Sequence, residues 1–299
     1  MKISRKKSTE DEQAVYKSLK PGSLPYIWQY LRHNKGAMAG MVFIVLIIVL
    51  SFLSPYILKY DYGTIDFNVR YAAPSWEHPF GCDQYGRDIL SRVLYGARYT
   101  LSIGLLSTTF AAVIGIILGA VAGFFGGVVD SAIMRFLDVF QAFPQLLMAM
   151  TLVAILGTGL DRCILALGIS GIPGYARMTR ANILNIRNEE YIEAATSIKC
   201  STWRIIVKHV IPNVLSPLII SMAMGIASSG LAASALSFIG LGIQSPLPEW
   251  GAMLADCRDY IRQYPHMIII PGLFIVMTVL SFNLIGDALR DALDPKLRN

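Results

Sequence analysis

Three acidic residues, Glu189, Glu190 and Glu193, are followed by the basic Lys199, Arg204 and Lys208 in a polar segment running from Asn185 to Pro212, with long apolar runs on either side. This is chemistry for docking. A carboxylate at Glu193 can accept a charge-assisted hydrogen bond from an Arg or Lys of a partner, and the small Ala194 and Ala195 beside it allow close approach. Arg187–Ile198 is rich in helix formers. Ser201 or Thr202 can cap a second helix from about Trp203 to Ile211, which Pro212 is expected to end before Asn213. The segment therefore predicts helix, turn, helix. An amphipathic pair lying flat on lipid would use the same residues and stays open as the alternative.

Other chemistries find few residues. The chain has no Gly-x-x-x-x-Gly-Lys-Ser/Thr, no His-Glu-x-x-His and no Cys-x-x-Cys. Gly240-Leu241-Gly242 lacks the third glycine of a dinucleotide loop, and Gly123-Phe124-Phe125-Gly126-Gly127 reads as a turn. The four histidines flank different apolar runs. His78, Cys82 and Asp83 form a metal grouping on spacing alone, and ordinary loop residues are the plainer reading. Cys82 and Cys257 both fall on segments predicted to lie outside, which leaves a disulfide open. No catalytic, cofactor-binding or metal-binding residue is assigned, so the chain is not expected to be an enzyme.

The elements that would position the polar segment follow from composition. Of 299 residues 54% are hydrophobic and 15% charged, with mean hydropathy +0.52, whereas a soluble domain carries about a quarter charged residues. The charges cluster and leave six uncharged runs: Gly36–Leu58, Tyr99–Val129, Val139–Leu160, Cys163–Ala176, Val210–Pro248 and Met267–Gly286. Crossing the hydrocarbon layer takes about 20 residues. Five runs suffice. Cys163–Ala176 covers only roughly 21 Å at 1.5 Å per residue. It crosses if Met178, Thr179 and Ala181 extend it while Arg177 and Arg180 face protein; otherwise it is re-entrant. With six crossings and the N-terminus inside, 18 of the 26 Lys and Arg lie inside and eight outside, as the positive-inside rule prefers. The net charge of +6 then reflects orientation in a bilayer, and nucleic acid is not an expected partner.

The chain accordingly divides into a cytoplasmic tail with an interfacial helix (1–35), a first span (36–58), a long outer loop (59–97) and a core of five spans (98–299) that carries the 185–212 loop. Met1 to about Leu24 is polar and expected to be mobile, and Pro25–Leu31 reads as a short helix. Asp83–Ala97 reads as an amphipathic helix at the outer interface with an Asp88/Arg92 pair, serving as a lid or as a landing surface. Arg135 and Asp138 are spaced to pair. Small residues such as Gly115, Gly119 and Gly123 in the second span, and Gly225 and Gly230 in the fifth, predict close helix packing. Leu236–Leu254 is expected to bend or dip back. The run interiors lack acids, which disfavours an ion-coupled carrier; the small-residue spans disfavour a mere scaffold.

Glu193-Ala194-Ala195-Thr196-Ser197-Ile198-Lys199 … Ile211-Pro212 resembles the EAA loop of bacterial ABC-importer permeases. That pattern places glycine where Lys199 stands, so the turn is expected to shift to Cys200-Ser201 or to tighten. His78–Arg92, with Cys82 where a Thr is common, together with Pro248-Glu249-Trp250-Gly251 and Ser281–Pro295, is similar to signatures of the dipeptide/oligopeptide/nickel group, C-type permease. The likeness runs from about Pro25 to the end. It implies an all-α integral membrane protein with six transmembrane helices in the type I ABC-importer permease fold. It also implies a heterodimer with a second permease, two ABC ATPases that bind ATP and Mg, an extracytoplasmic solute-binding protein, and a bacterial cytoplasmic membrane with both termini inside. Glu190, Glu193, Ala194, Ala195, Ile198, Lys199 and Arg204 are the implied ATPase-coupling residues. Di- or oligopeptides are the implied substrate, with nickel or another small solute as the alternative.

Overall fold

The computed structural model describes residues 23–187 and 189–293; most of the polar tail assigned to Met1–Leu24, and the end of the C-terminal signature, lie outside these. Among the described residues the regular elements are helical, apart from one isolated bridge between Cys82 and Asp88. α1 (Leu24–His33) starts with Pro25 in its first turn and packs Leu31 against Ala37 and Ala288. α2 (Lys35–Ile57) is capped by the Asn34 side chain, which accepts from the Ala37 N–H at 3.1 Å. Pro55 lies inside it and has no N–H for the Ser51 carbonyl four residues earlier. Arg98 supplies the missing donor, with Nε 3.0 Å from that oxygen.

α3 (Ile89–Phe125) is a single 37-residue helix that runs straight through residue 98. The expected interfacial helix at Asp83–Ala97 is therefore not a separate element, and Ile89, Val93 and Leu94 are buried in protein. Nor does Asp88 pair with Arg92. Asp88 caps the helix through the Ser91 N–H at 2.8 Å and meets His78 Nδ1 at 3.0 Å. Arg92 turns the other way, to Asp83 at 3.6 Å and to the carbonyls of Tyr62 and Pro246 at 3.3 Å. A buried guanidinium needs several acceptors, and the 58–88 loop folded over α3, together with the Pro246 carbonyl of the 239–249 bend, provides them where a lipid interface would not.

That loop is fastened by charges the sequence separates widely. Arg87 bonds Asp83 at 2.6 Å and Asp256 at 3.2 Å, and all but Asp256 of these groups are fully buried. Asp256 belongs to α10 (Trp250–Cys257). Just before it Glu249, fully buried, accepts from Ala252 N–H (2.9 Å), Thr100 (3.1 Å) and Ser234 (3.0 Å), and Trp250 donates to the Val93 carbonyl at 2.9 Å. Gly96 lies directly under the Pro248 carbonyl, where any Cβ would collide. The Pro-Glu-Trp-Gly sequence thus clamps the 239–249 bend onto α3. Cys82 and Cys257 are both free thiols. His78 and Asp83 are committed to Asp88 and to arginines respectively, so the spacing-based metal grouping is not assembled.

After a turn at Gly126 (φ +65°), the chain forms α4 (Gly127–Gln141) and α5 (Gln145–Leu156), bent 83° apart at Ala142–Pro144. One straight span was expected over Val139–Leu160. Pro144, which has no N–H and disfavours helix in Phe143 before it, breaks that run. α6 (Leu160–Ile186) is continuous through Pro173 for 27 residues, roughly 40 Å; a re-entrant Cys163–Ala176 is not what forms. Asp138 pairs with Arg177 of α6 rather than with Arg135, and Asp130 makes a two-pronged pair with Arg180 at 2.5 and 2.6 Å.

The remaining elements are α7 (Glu190–Ser197), α8 (Thr202–Ile205), a π turn at Ile206–Val210, α9 (Ile211–Phe238), α11 (His266–Leu293) and short 3-10 turns at Phe67–Val69 and Arg258–Tyr260. α3 and α6 share the most extensive helix–helix contact and approach tightly along Gly115, Gly119 and Gly123. A Cβ at Gly115 would lie 2.5 Å from Tyr175 Cβ, and one at Gly119 would lie 2.7 Å from Thr179 Cβ. The small residues therefore act in packing. Among the described residues four stretches are long and apolar enough to cross a membrane: α2, α3, Ile206–Phe238 and α11; the α4–α5 pair makes a fifth if counted as one broken span.

Candidate functional site

α6 ends at Ile186, where Arg187 reaches back to the Gly123 carbonyl at the end of α3, 3.4 Å away. α7 follows as two turns with acids at its start, Glu190 and Glu193, where the helix dipole favours negative charge. Its inner face is Ile192 and Ala195. Both are buried against Ile183, Ile205, Ile206, Val210 and Ala120, so a small apolar core holds α7 onto the ends of α3, α6 and α9. Tyr191 adds a polar tie, its hydroxyl 3.3 Å from Asn213 Nδ2.

The turn between the two limbs is made by Lys199 itself, which adopts φ +58°. The expected shift to Cys200-Ser201 does not occur. The Cys200 N–H reaches the Ala195 carbonyl at 3.1 Å and Ile198 N–H the Ala194 carbonyl at 3.2 Å, which closes the helix end around a left-handed residue. Left-handed backbone costs a non-glycine residue roughly 1–2 kcal/mol; here the bonds on both sides and the packing of Ala195 and the half-buried Cys200 into the apolar core hold Lys199 in place.

Ser201 stands at the cap position of α8, its carbonyl accepting from Ile205 N–H at 3.0 Å. The second limb does not stop at Pro212. It passes through the π turn into α9, with the Ile211 N–H bonded to the Ile206 carbonyl five residues back. Widening the helix by one residue per turn just before Pro212 relieves the clash its ring would make with a regular helix. The loop is therefore wired directly into a membrane-length helix.

Of the residues singled out from sequence, Glu190, Glu193, Ala194, Ile198, Lys199 and Arg204 are exposed, with Ile198 80% accessible. Ala195, at 9%, faces inward. The exposed surface is acidic on α7 and basic at Lys199, Arg204 and Lys208, and Tyr191, Ile198 and Val207 are exposed on the same loop. Large exposed apolar groups beside charges suit a protein contact. Sequence reasoning missed Tyr191 and Val207: Tyr191, four residues before Ala195, borders the buried face of α7, and Val207 lies in the π turn of the second limb.

Residues 115–299 match the family described as binding-protein-dependent transport system inner membrane component, and residues 25–74 match the N-terminal transmembrane domain of oligopeptide transport permease C. The chain belongs to this family of ABC-importer permeases. The permease is 41% identical to the di/tripeptide transport system permease protein DppC of Pseudomonas aeruginosa over 97% of this chain and 96% of the relative. It is 40% identical to the dipeptide transport system permease protein DppC of Alkalihalophilus pseudofirmus (91% and 90% covered) and 42% identical to the glutathione transport system permease protein GsiD of Pectobacterium atrosepticum (91% and 90%). In fold, the permease is similar to a chain of the MetNI methionine ABC transporter: TM-score 0.58, 19% identity, 69% of this chain and 98% of that one. A second solved relative in fold, an amino acid ABC transporter, gives TM-score 0.52 over 67% of this chain and 94% of that one, at 16% identity. As a permease subunit the chain is not itself catalytic.

Proposed function

We propose that this permease forms, with a second permease, the path by which an importer moves di- and oligopeptides delivered by an extracytoplasmic binding protein, and that the 185–212 loop receives the stroke of two ATPase subunits. The observation that carries the substrate is the 40–42% identity, over nine-tenths or more of the chain, to relatives whose names specify dipeptides, di/tripeptides and glutathione, all peptide-like solutes. Six crossings follow if α6 joins α2, α3, the broken α4–α5 pair, Ile206–Phe238 and α11. Both termini and the loop then face the cytoplasm of a bacterial inner membrane, in keeping with the balance of Lys and Arg. ATP and Mg belong to the partner subunits.

The coupling residues are Glu190, Glu193, Ala194, Ile198, Lys199 and Arg204 on the surface, with Ala195 fastening α7 from below. A stroke on α7 reaches α6 through Ile183 and α9 through the continuous second limb. Glu193→Lys is the test. A charge-assisted hydrogen bond contributes about 1.5–3 kcal/mol, and reversing the charge replaces it with repulsion. ATP-driven dialanine uptake by the reconstituted importer should be lost while membrane insertion is unchanged. Uptake at the normal rate would end the coupling assignment.

A further inference from the structure

A cavity of about 460 Å³ opens within the bundle where α3, the α4–α5 elbow, α6 and α9 meet. Its volume falls in the range of about 300–1,000 Å³ that holds small solutes. The polar side chains that line it include Gln141, Gln145, Tyr175, Ser221, Ser228 and Ser229, and no residue of the lining is charged. The two glutamines flank the break at Ala142–Pro144. Both are exposed, and neither side-chain amide has a hydrogen-bond partner among the described residues. Gln145 Nε2 sits 3.6 Å from where a Cβ on Gly171 would be, so glycine on α6 leaves room for the amide at the wall. Tyr175 lies over Gly225 of α9 and donates to the Ser221 carbonyl at 3.2 Å.

An amide without a partner is costly against hydrocarbon, and broken helix at membrane depth is tolerated only inside protein or along a water-filled cavity. Two free amides at a helix break therefore mark this wall as wet. We propose, building on the reading of the chain as a peptide permease, that the cavity is a transient binding site on the solute path. There the Gln141 and Gln145 amides recognise the peptide group, whose carbonyl and N–H match an amide's own donor and acceptor. Neutral hydrogen bonds contribute only about 0.5–1.5 kcal/mol each. A path must bind strongly enough to admit a solute and weakly enough to release it; uncharged lining meets that condition and tolerates varied side chains.

The experiment uses the full importer, both permeases, ATPases and binding protein, in proteoliposomes with Lys-Ala and Asp-Ala as competing probes. Gln145→Glu places a carboxylate in the wall and should shift the Lys-Ala to Asp-Ala uptake ratio, relative to wild type, by roughly tenfold toward the cation, equivalent to about 1.4 kcal/mol. The comparison with wild type cancels the binding protein's own preference, and a ratio does not depend on how much complex assembles. Gln145→Leu should lower dialanine uptake severalfold while ATP hydrolysis stimulated by the binding protein persists. An unchanged Gln145→Glu ratio overturns the site. A wild-type complex that moves none of these peptides under ATP overturns the functional reading instead.

Discussion

Replacing Lys199 tests how the candidate coupling loop is held. At φ +58° a lysine bears a cost of roughly 1–2 kcal/mol that glycine does not. Glycine also has more freedom in the open chain, which returns roughly 0.5–1 kcal/mol. Lys199→Gly should therefore stabilise the closed turn by about 0.5–1 kcal/mol, and Lys199→Val, β-branched, should destabilise it by at least a comparable amount. The reporters are two amides that the turn itself protects, Cys200 N–H on the Ala195 carbonyl and Ile198 N–H on the Ala194 carbonyl. Native-state hydrogen exchange of the intact importer reads their local opening. A gain of about 0.5–1 kcal/mol slows exchange roughly two- to fivefold, and the valine variant should exchange several times faster than the parent. Glycine that leaves exchange unchanged, or valine that matches lysine, would refute a left-handed Lys199.

Glycine-to-alanine changes at two helical sites should have opposite signs. Gly119→Ala drives a methyl into Thr179 and the α6 backbone and should cost about 1–3 kcal/mol, whereas Gly272, with nothing within 4 Å of the added carbon, should gain a few tenths to about 1 kcal/mol; melting of the detergent-solubilised permease compares them. Asp83→Asn leaves the buried Arg87 and Arg92 with the partly exposed Asp256 as their remaining carboxylate and should cost up to about 3–5 kcal/mol, seen as protease sensitivity in the 58–88 loop. Burial pushes the Cys82 thiol up to about 12, against about 8.5 for a free cysteine. The thiolate is thus scarce in the folded state, and Cys82 should resist maleimide between about pH 7 and 9 while the half-buried Cys200 reacts. Labelling of Cys82 at the rate of Cys200 would contradict the packing of the long loop.

Much of this molecule was legible from local pattern. Run length and the absence of charge marked the membrane helices, because a long uncharged segment is stable only out of water. The small residues at Gly115, Gly119 and Gly123 announced a close helix pair, and the acids, alanines and following basic limb located the candidate coupling loop. Tertiary structure decided the rest, wherever a group's partner lies far along the chain. Asp88 and Arg92 have the spacing of a pair, yet the folded loop offers Arg92 other acceptors and gives Asp88 the helix end and His78. Glu249 meets Thr100 and Ser234 from two other helices, and Arg87 finds Asp256, 169 residues away along the chain. Lys199 keeps its left-handed turn because contacts around it outweigh a modest backbone preference. Pro212 fails to stop a helix because a π turn absorbs its ring. Helix-forming tendency and hydrophobicity act over a few residues and can be read in order; the choice among competing charged partners and strained conformations is made by whichever surfaces the folded bundle brings together.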